Sequence, residues 1–436
     1  MEIKPFKAFR FNDAKVGDAG DCIAPPYDVV NDEQREQLYQ KSRYNIIRIT
    51  KGKTNPDDNV SDNQYTRAAA YLREWMTDGV LKQDKQETIY GYVQDFRLGG
   101  EKFERFSFIA LGKSEEFGKI VRPHEQTLDK PKADRLNLER ATAAKFGLIF
   151  MLYEDSQKTS EQIIEKVLKE TALVDFRDEN AVRHRLFAIT SGEDIKKIAS
   201  MMSDKSCIIA DGHHRYETGL NYYKETGNPA AAYQMIAFSN MRHEGLAVLA
   251  THRVVDNLEG FDIRRFIAEL SKKFEITEYQ FDIPRSKVEA KQKMLSQMKA
   301  EYGNGGNVFG IYAGDGAFRV AVLKDRKAMD PVAPNMSDPW KSLDVSVLHR
   351  LILGEILGID EKKLATGGNI EYIKDTDTAV DESIAKVDYG HGQVLFLMNP
   401  VRLQQLKMVT DAGEKMPQKS TYFYPKVYTG LTINKM

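Results

Sequence analysis

Cysteine is almost missing from this chain of 436 residues: Cys22 and Cys207 are the whole complement, and neither belongs to a CxxC pair. A disulfide framework and a cysteine zinc site are thereby excluded, and a reducing compartment fits. An excess of charge of one sign is missing as well, since 63 basic residues face 64 acidic ones for a net of -1. With no basic surplus and no evident recognition helix, DNA binding is not expected, nor is attraction to an anionic membrane. No run approaches the roughly 18 apolar residues that a membrane span needs. The segment Met1 to Phe6 also lacks the apolar heart of a signal peptide, so a cytoplasmic protein is expected. Neither nucleotide fingerprint, GxxxxGKS/T or GxGxxG, occurs, so any nucleotide must be held by another cradle.

What is present is an ordinary globular composition, 42% hydrophobic and 29% charged, at a length that suits two or three domains. One stretch stands out. Ile208, Ile209 and Ala210 read as an apolar strand that runs into Asp211-Gly212-His213-His214-Arg215 and then into a helix, expected to start near Arg215 and to stop at Gly227-Asn228-Pro229. Amide groups at a helix start favour phosphate or carboxylate, and Gly212 permits close backbone approach. Arg215 can grip the same anion bidentately. Asp211 can bind a metal or orient a hydroxyl, while His213 and His214 can donate hydrogen bonds or move protons. The plainer alternative makes Asp211 a helix cap and the histidines satisfied neighbours.

The rest of the chain reads as a mixed α/β core over residues 1–256 and a C-terminal α/β domain over 257–436. In the first part, Asn31 with Gln34 opens a helix, Asn45 to Thr50 reads as a strand, and Ile89 to Phe96 with Phe103 to Leu111 reads as a hairpin. A strand at Cys207 to Ala210, a helix and a strand at Gln234 to Phe238 give a βαβ-like rhythm. Cys207 reads as a small buried apolar residue rather than a nucleophile.

Three further segments carry candidate chemistry. In Arg122-Pro123-His124-Glu125-Gln126-Thr127, Glu125 beside His124 can act as a general base, or cap a helix on a surface turn. This is not a zincin motif, because Leu128 stands where the second histidine of HExxH belongs. Pro25-Pro26-Tyr27-Asp28 is stiff and aromatic, able to wall a base or ribose with Tyr27, or simply to turn the chain into its first helix. Near the end, the stretch from Gly413 to Lys426 can return to cover a phosphate site, with Lys419 as a point charge and Ser420 or Thr421 as donors, or can form a terminal edge strand.

Taken in order, Ile23-Ala24-Pro25-Pro26-Tyr27-Asp28, the Pro-His-Glu-Gln-Thr run, Ala210 to Tyr216 and Met416-Pro417-Gln418-Lys419-Ser420-Thr421 resemble the bacterial and archaeal family called domain of unknown function 1015, often labelled ParB-like or Spo-type. More remotely, the Asp-Gly-His-His-Arg turn and an upstream Pro-His-Glu resemble the ParB and sulfiredoxin superfamily, in particular its free serine kinases. That resemblance implies a ParB/sulfiredoxin-like mixed sheet with insertions, and a phosphotransferase using ADP or ATP with Mg²⁺ on a small hydroxylated metabolite of serine-like kind. It makes Glu125 the base, with His124 beside it, and makes Asp211 to Arg215 the site for phosphates and metal. The separation of Glu125 from Asp211 is wider than in those kinases and implies an insertion or another alignment of Glu125. The class-distinct alternative is a nucleotide-binding, ParB-like regulatory or clamp protein with slow or absent hydrolysis.

Overall fold

The computed structural model describes every residue except 127, 128, 361, 362, 365 and 366, and at 129 and 130 the backbone alone. Thr127 and Leu128 of the Pro-His-Glu-Gln-Thr run thus lie outside the described residues. The chain is mixed α/β, 37% helix and 26% strand. It divides into two units, Met1–Ala247 together with Pro425–Met436, and Val248–Tyr424. The expected break at 256 therefore moves: the strand Thr251–Val255 belongs to the second unit, and the last twelve or so residues belong to the first.

Among the described residues, nine strands of the first unit make one sheet. They are β1 (Ile3–Lys4), β2 (Ile89–Leu98), β3 (Glu101–Lys113), β4 (Val121–Pro123), β5 (Ile149–Tyr153), β6 (Val174–Arg177), β7 (Arg183–Ile189), β8 (Cys207–Asp211) and β9 (Tyr233–Asn240). Their order is β4-β8-β5-β9-β3-β2-β7-β6, with β1 beside β3. β2 and β3 form the expected hairpin, closed at Gly99-Gly100, where both glycines take positive φ. The strand-helix-strand rhythm around the central motif is present, but β8 is antiparallel to β5 and β9 is parallel to it, so β8 and β9 run oppositely with β5 between them.

The two faces of this sheet differ in kind. Val93, Phe106, Phe108, Met151 and Ile209 point to an apolar core covered by the helices α1 (Thr159–Val167) and α2 (Gly192–Met202), which supply Ile163, Ile164, Ile198 and Met202. The alternate residues, Tyr92, Gln94, Arg105 and His184, are fully buried polar groups on the other face. Gln94 and Arg105 stand opposite each other in the β2–β3 register. Buried polar groups of this kind must find partners, and here the returning C-terminal segment supplies two of them. Arg105 donates to the Pro425 carbonyl at 2.6 Å and Gln94 donates to the Lys426 carbonyl at 2.9 Å.

One local expectation changes and another holds. Asn45 to Thr50 is not a strand: Ile47–Thr50 is a single helical turn. The buried Asn45 causes this, accepting from the Ile47 N–H at 3.0 Å while donating to the Asp21 carbonyl at 2.7 Å. Cys207 is fully buried on β8, and burial pushes its thiol up to about 12, which leaves it inert.

The second unit is built on an antiparallel sheet of β10 (Thr251–Val255), β11 (Phe274–Gln280), β12 (Val308–Tyr312), β13 (Ala317–Leu323), β14 (Ile370–Lys374) and β15 (Val394–Leu397), ordered β11-β13-β12-β15-β10-β14. Ala290, Met294, Ile384 and Val387 from two helices pack on Val308, Val320 and Leu395 to make its core. No helix among the described residues is long and apolar enough to cross a membrane.

Candidate functional site

The end of β8 is irregular, and that irregularity builds the site. Its register against β5 slips by one residue between Ile209 and Asp211, so that Asp211, not Ala210, stands opposite Phe150. Because side chains alternate along a strand, the slip turns Asp211 from the apolar face, where Ile209 lies, to the face of Arg105. Gly212 follows with φ 93°, a conformation that costs any other residue, and a helix, α3 (His213–Thr226), starts at once. It begins two residues earlier than expected and ends as expected, at Gly227 with φ 63°. Gly212 is the cap residue and no side chain caps the helix, so Asp211 has another task.

That task is to gather cations. Asp211 Oδ1 accepts from Arg215 at 3.0 Å and its Oδ2 accepts from Lys426 at 2.6 Å. The Asp211 side chain is only 15% exposed. Burial alone would raise its carboxyl, but Lys426 and Arg215 outweigh burial and hold it far below the usual carboxylate range. Arg105, wholly buried against the Phe150 ring at 4.7 Å, adds a third positive charge nearby, itself lowered to about 10 by burial and lifted in part by Tyr92 and Asp211.

This arrangement changes two expected roles. The guanidinium of Arg215 donates to the Leu148 carbonyl as well as to Asp211, so its fork is turned toward protein acceptors and the expected bidentate grip on a ligand is not its geometry. Asp211 also does not fit the role of a magnesium ligand. Each of its oxygens already receives a cationic donor, and among the described residues no three His, Cys, Asp or Glu side chains cluster to hold a metal.

The histidines separate into an inner and an outer set. His124, 1% exposed, donates from Nδ1 to the Ile209 carbonyl at 2.5 Å, while its backbone N–H donates to Nε2 of His213 at 3.2 Å. Their rings meet edge to face at 4.7 Å. Burial lowers the His124 imidazole, against the pull of Glu125 and the Ile209 carbonyl, so it is neutral at physiological pH. Nε2 of His213, as an acceptor, carries no proton. One position further along each segment, Glu125 and His214 are both half-buried. Burial lowers His214, while Glu125, Asp28 and Glu217 pull it upward and Lys132 pushes it down. Glu217, one turn along α3, pairs with Lys132 at 3.3 Å.

Tyr27 belongs to the same neighbourhood, in a turn closed by the Val29 N–H on the Pro26 carbonyl at 3.1 Å. Arg135 lies over its ring at 3.8 Å, and burial raises its phenol against the pull of Arg135 and Arg215. Tyr27, Arg135 and Arg215 border a cleft of about 60 Å³ whose apolar walls include Leu138, Phe146 and Met235. The site thus brings together Tyr27, His124, Glu125 and Asp211 to Arg215. Lys419, Ser420 and Thr421 lie in the second unit, where the Lys419 carbonyl accepts from Arg253 at 3.0 Å and Ser420 donates to the Pro417 carbonyl. The tail cation at the site is Lys426, seven positions later, and the sequence signal that could have found it is its place after Pro425 in the same cationic, aromatic stretch.

The strand end of this mixed α/β unit thus bulges into a glycine-capped helix start, with cations around Asp211 and a carboxylate beside a histidine, an arrangement of the kind that can receive an anion. The chain belongs to the family described as protein of unknown function, DUF1015, whose model matches residues 3–346. No curated protein matches it. Among solved structures, a mutant free serine kinase in complex with ADP aligns at 13% identity and a TM-score of 0.33, over 71% of this chain and 89% of that one. A conserved hypothetical protein from Pyrococcus furiosus aligns at 13% identity and a TM-score of 0.30, over 72% and 95%. SbnI with a C-terminal truncation, from Staphylococcus aureus, aligns at 12% and 0.32, over 73% and 84%.

Proposed function

We propose that the first unit is a nucleotide-binding phosphotransferase acting on a small hydroxylated metabolite. The observation that carries this reading is the positive cluster at the start of α3: Arg105, Arg215 and Lys426 meet the single carboxylate of Asp211 where the helix dipole also favours an anion. Phosphate groups suit that field. Phosphoryl transfer needs mainly positioning and charge stabilisation, with a placed base for the attacking hydroxyl. Glu125 takes that role, half-buried and next to His214 rather than locked in the core. Tyr27 and the apolar cleft supply a wall for base or ribose, one face of the ring being covered by Arg135. The inner histidines hold the turn in shape, and His214 receives or passes the proton that Glu125 removes.

Transfer of label from ATP or ADP to a pool of hydroxylated metabolites, compared between the native chain and Glu125→Gln, tests the reading. Turnover should fall by roughly 10²–10⁴-fold in the variant, the range for a lost general base. Unchanged turnover removes Glu125 as base. Nucleotide binding with no transfer at all favours a regulatory nucleotide-binding protein instead.

A further inference from the structure

We infer that Lys426 is the resident cation of this site: its ammonium occupies at Asp211 the place that a magnesium ion would take, and phosphate is bound there without a divalent metal. The inference rests on the phosphate-site reading above and deepens it.

Three observations carry it. The first is occupancy, since Lys426 Nζ lies 2.6 Å from Oδ2 of Asp211 while Arg215 lies 3.0 Å from Oδ1. A magnesium ion at its bonding distance of about 2.0–2.1 Å from Oδ2 would have to share that oxygen with the ammonium and be repelled by it. The second is rigidity. Pro425 fixes the backbone just before the lysine, its carbonyl accepts from Arg105, and the Lys426 carbonyl accepts from Gln94. Arg105 and Gln94 are both 0% exposed, so the segment is anchored to the sheet interior rather than to mobile surface groups. An anchored ammonium is a preorganised charge that needs no reorganisation when an anion arrives. The third is balance. A metal site needs surplus negative charge, and immediately around Asp211 the cations Lys426, Arg215 and Arg105 outnumber its one carboxylate, so the field there disfavours a further cation. Lysine as a point charge is well suited to a phosphate group.

The experiment is thermal unfolding of the full chain with ADP and with inorganic pyrophosphate, each in EDTA and in magnesium. ADP should raise the midpoint by the same amount in both media for the native protein. Lys426→Ala should bind ADP about tenfold or more weakly in EDTA, the loss expected when one charged contact is removed. Magnesium should restore part of that loss, because Oδ2 of Asp211 is then vacated. Lys426→Arg should keep metal-free binding, and it stands as the informative variant if Lys426→Ala does not fold. A native midpoint that moves only in magnesium overturns the inference and leaves the phosphate site intact. Unchanged metal-free binding in Lys426→Ala also overturns it. No shift with ADP or pyrophosphate in either medium overturns the phosphate-site reading and this inference together.

Discussion

His124-Glu125 and His213-His214 meet twice, once inside the first unit and once near its surface. The inner pair, His124 and His213, is buried and joined by a hydrogen bond from backbone to ring. The outer pair, Glu125 and His214, is half-buried and joined by charge. Neighbouring residues therefore do different work: past a strand end consecutive side chains diverge, and at a helix start they lie about 100° apart. A histidine in such a motif is informative only after its direction is known.

Substitutions can break this contrast. The largest expected effect is from Asp211→Asn, which leaves Lys426 and Arg215 facing a neutral amide and should lower unfolding free energy by about 3 kcal/mol in urea titration. A loss below about 1 kcal/mol would mean that the cations do not depend on it. His124→Leu should cost about 1–3 kcal/mol, because the Ile209 carbonyl is left without its donor. His214→Leu should change stability by no more than about 0.5 kcal/mol while lowering turnover. Equal stability losses in the two variants would erase the distinction between inner and outer sets. Gly212→Ala should cost about 1–2 kcal/mol by forcing a side chain into positive φ, with its Cβ only 3.0 Å from Arg215 Nε.

A pH gradient tests the same contrast without a large change of contacts. His124 and His214 titrate below their ordinary value of 6.5 in the folded chain. Below pH 6.5 the unfolded chain therefore takes up protons that the folded chain refuses, and stability should fall as pH drops, by up to about 1.4 kcal/mol per pH unit for each such group. Asp211 is silent in that window, since its folded value lies below its unfolded value of 3.8 and both lie beneath it. Chemical unfolding at pH 7.5, 6.0 and 5.0 should show a shallower fall in His124→Leu than in the native chain, values chosen to bracket the roughly 6.5 at which histidine titrates.

Much of the site was legible because its signals are local. The strand Cys207–Asp211, the glycine turn and the stop at Gly227 follow from residues a few positions apart. What escaped depends on contacts made across the chain. Lys426 meets Asp211 from 215 positions away, and Arg105 meets Pro425 from 320. No periodicity reports such pairings, which is why the sequence pattern points to Lys419 rather than Lys426. The bulge before Asp211 escaped for a related reason, because only the pairing with β5 reveals which residue is extra. Asn45 misled by propensity: an apolar, β-branched run reads as a strand until its preceding asparagine is known to be buried and to cap a turn.

The return of Pro425–Met436 to the first unit has a consequence for synthesis. Its residues pair Thr429 with Ala24, Ile433 with Phe9, and Asn434 with Lys145, closing onto parts of the chain made much earlier. A ribosome delivers residues in order, so Asp211 and Arg215 emerge long before Lys426 and must wait while Val248–Tyr424 is made. The nascent first unit carries a carboxylate without its ammonium and an Arg105 without its carbonyl until the last stretch arrives. The Asp211 cluster is thus completed only after Val248–Tyr424 has been made, and a chain cut short before Pro425 lacks both its ammonium and the carbonyls that meet Arg105 and Gln94.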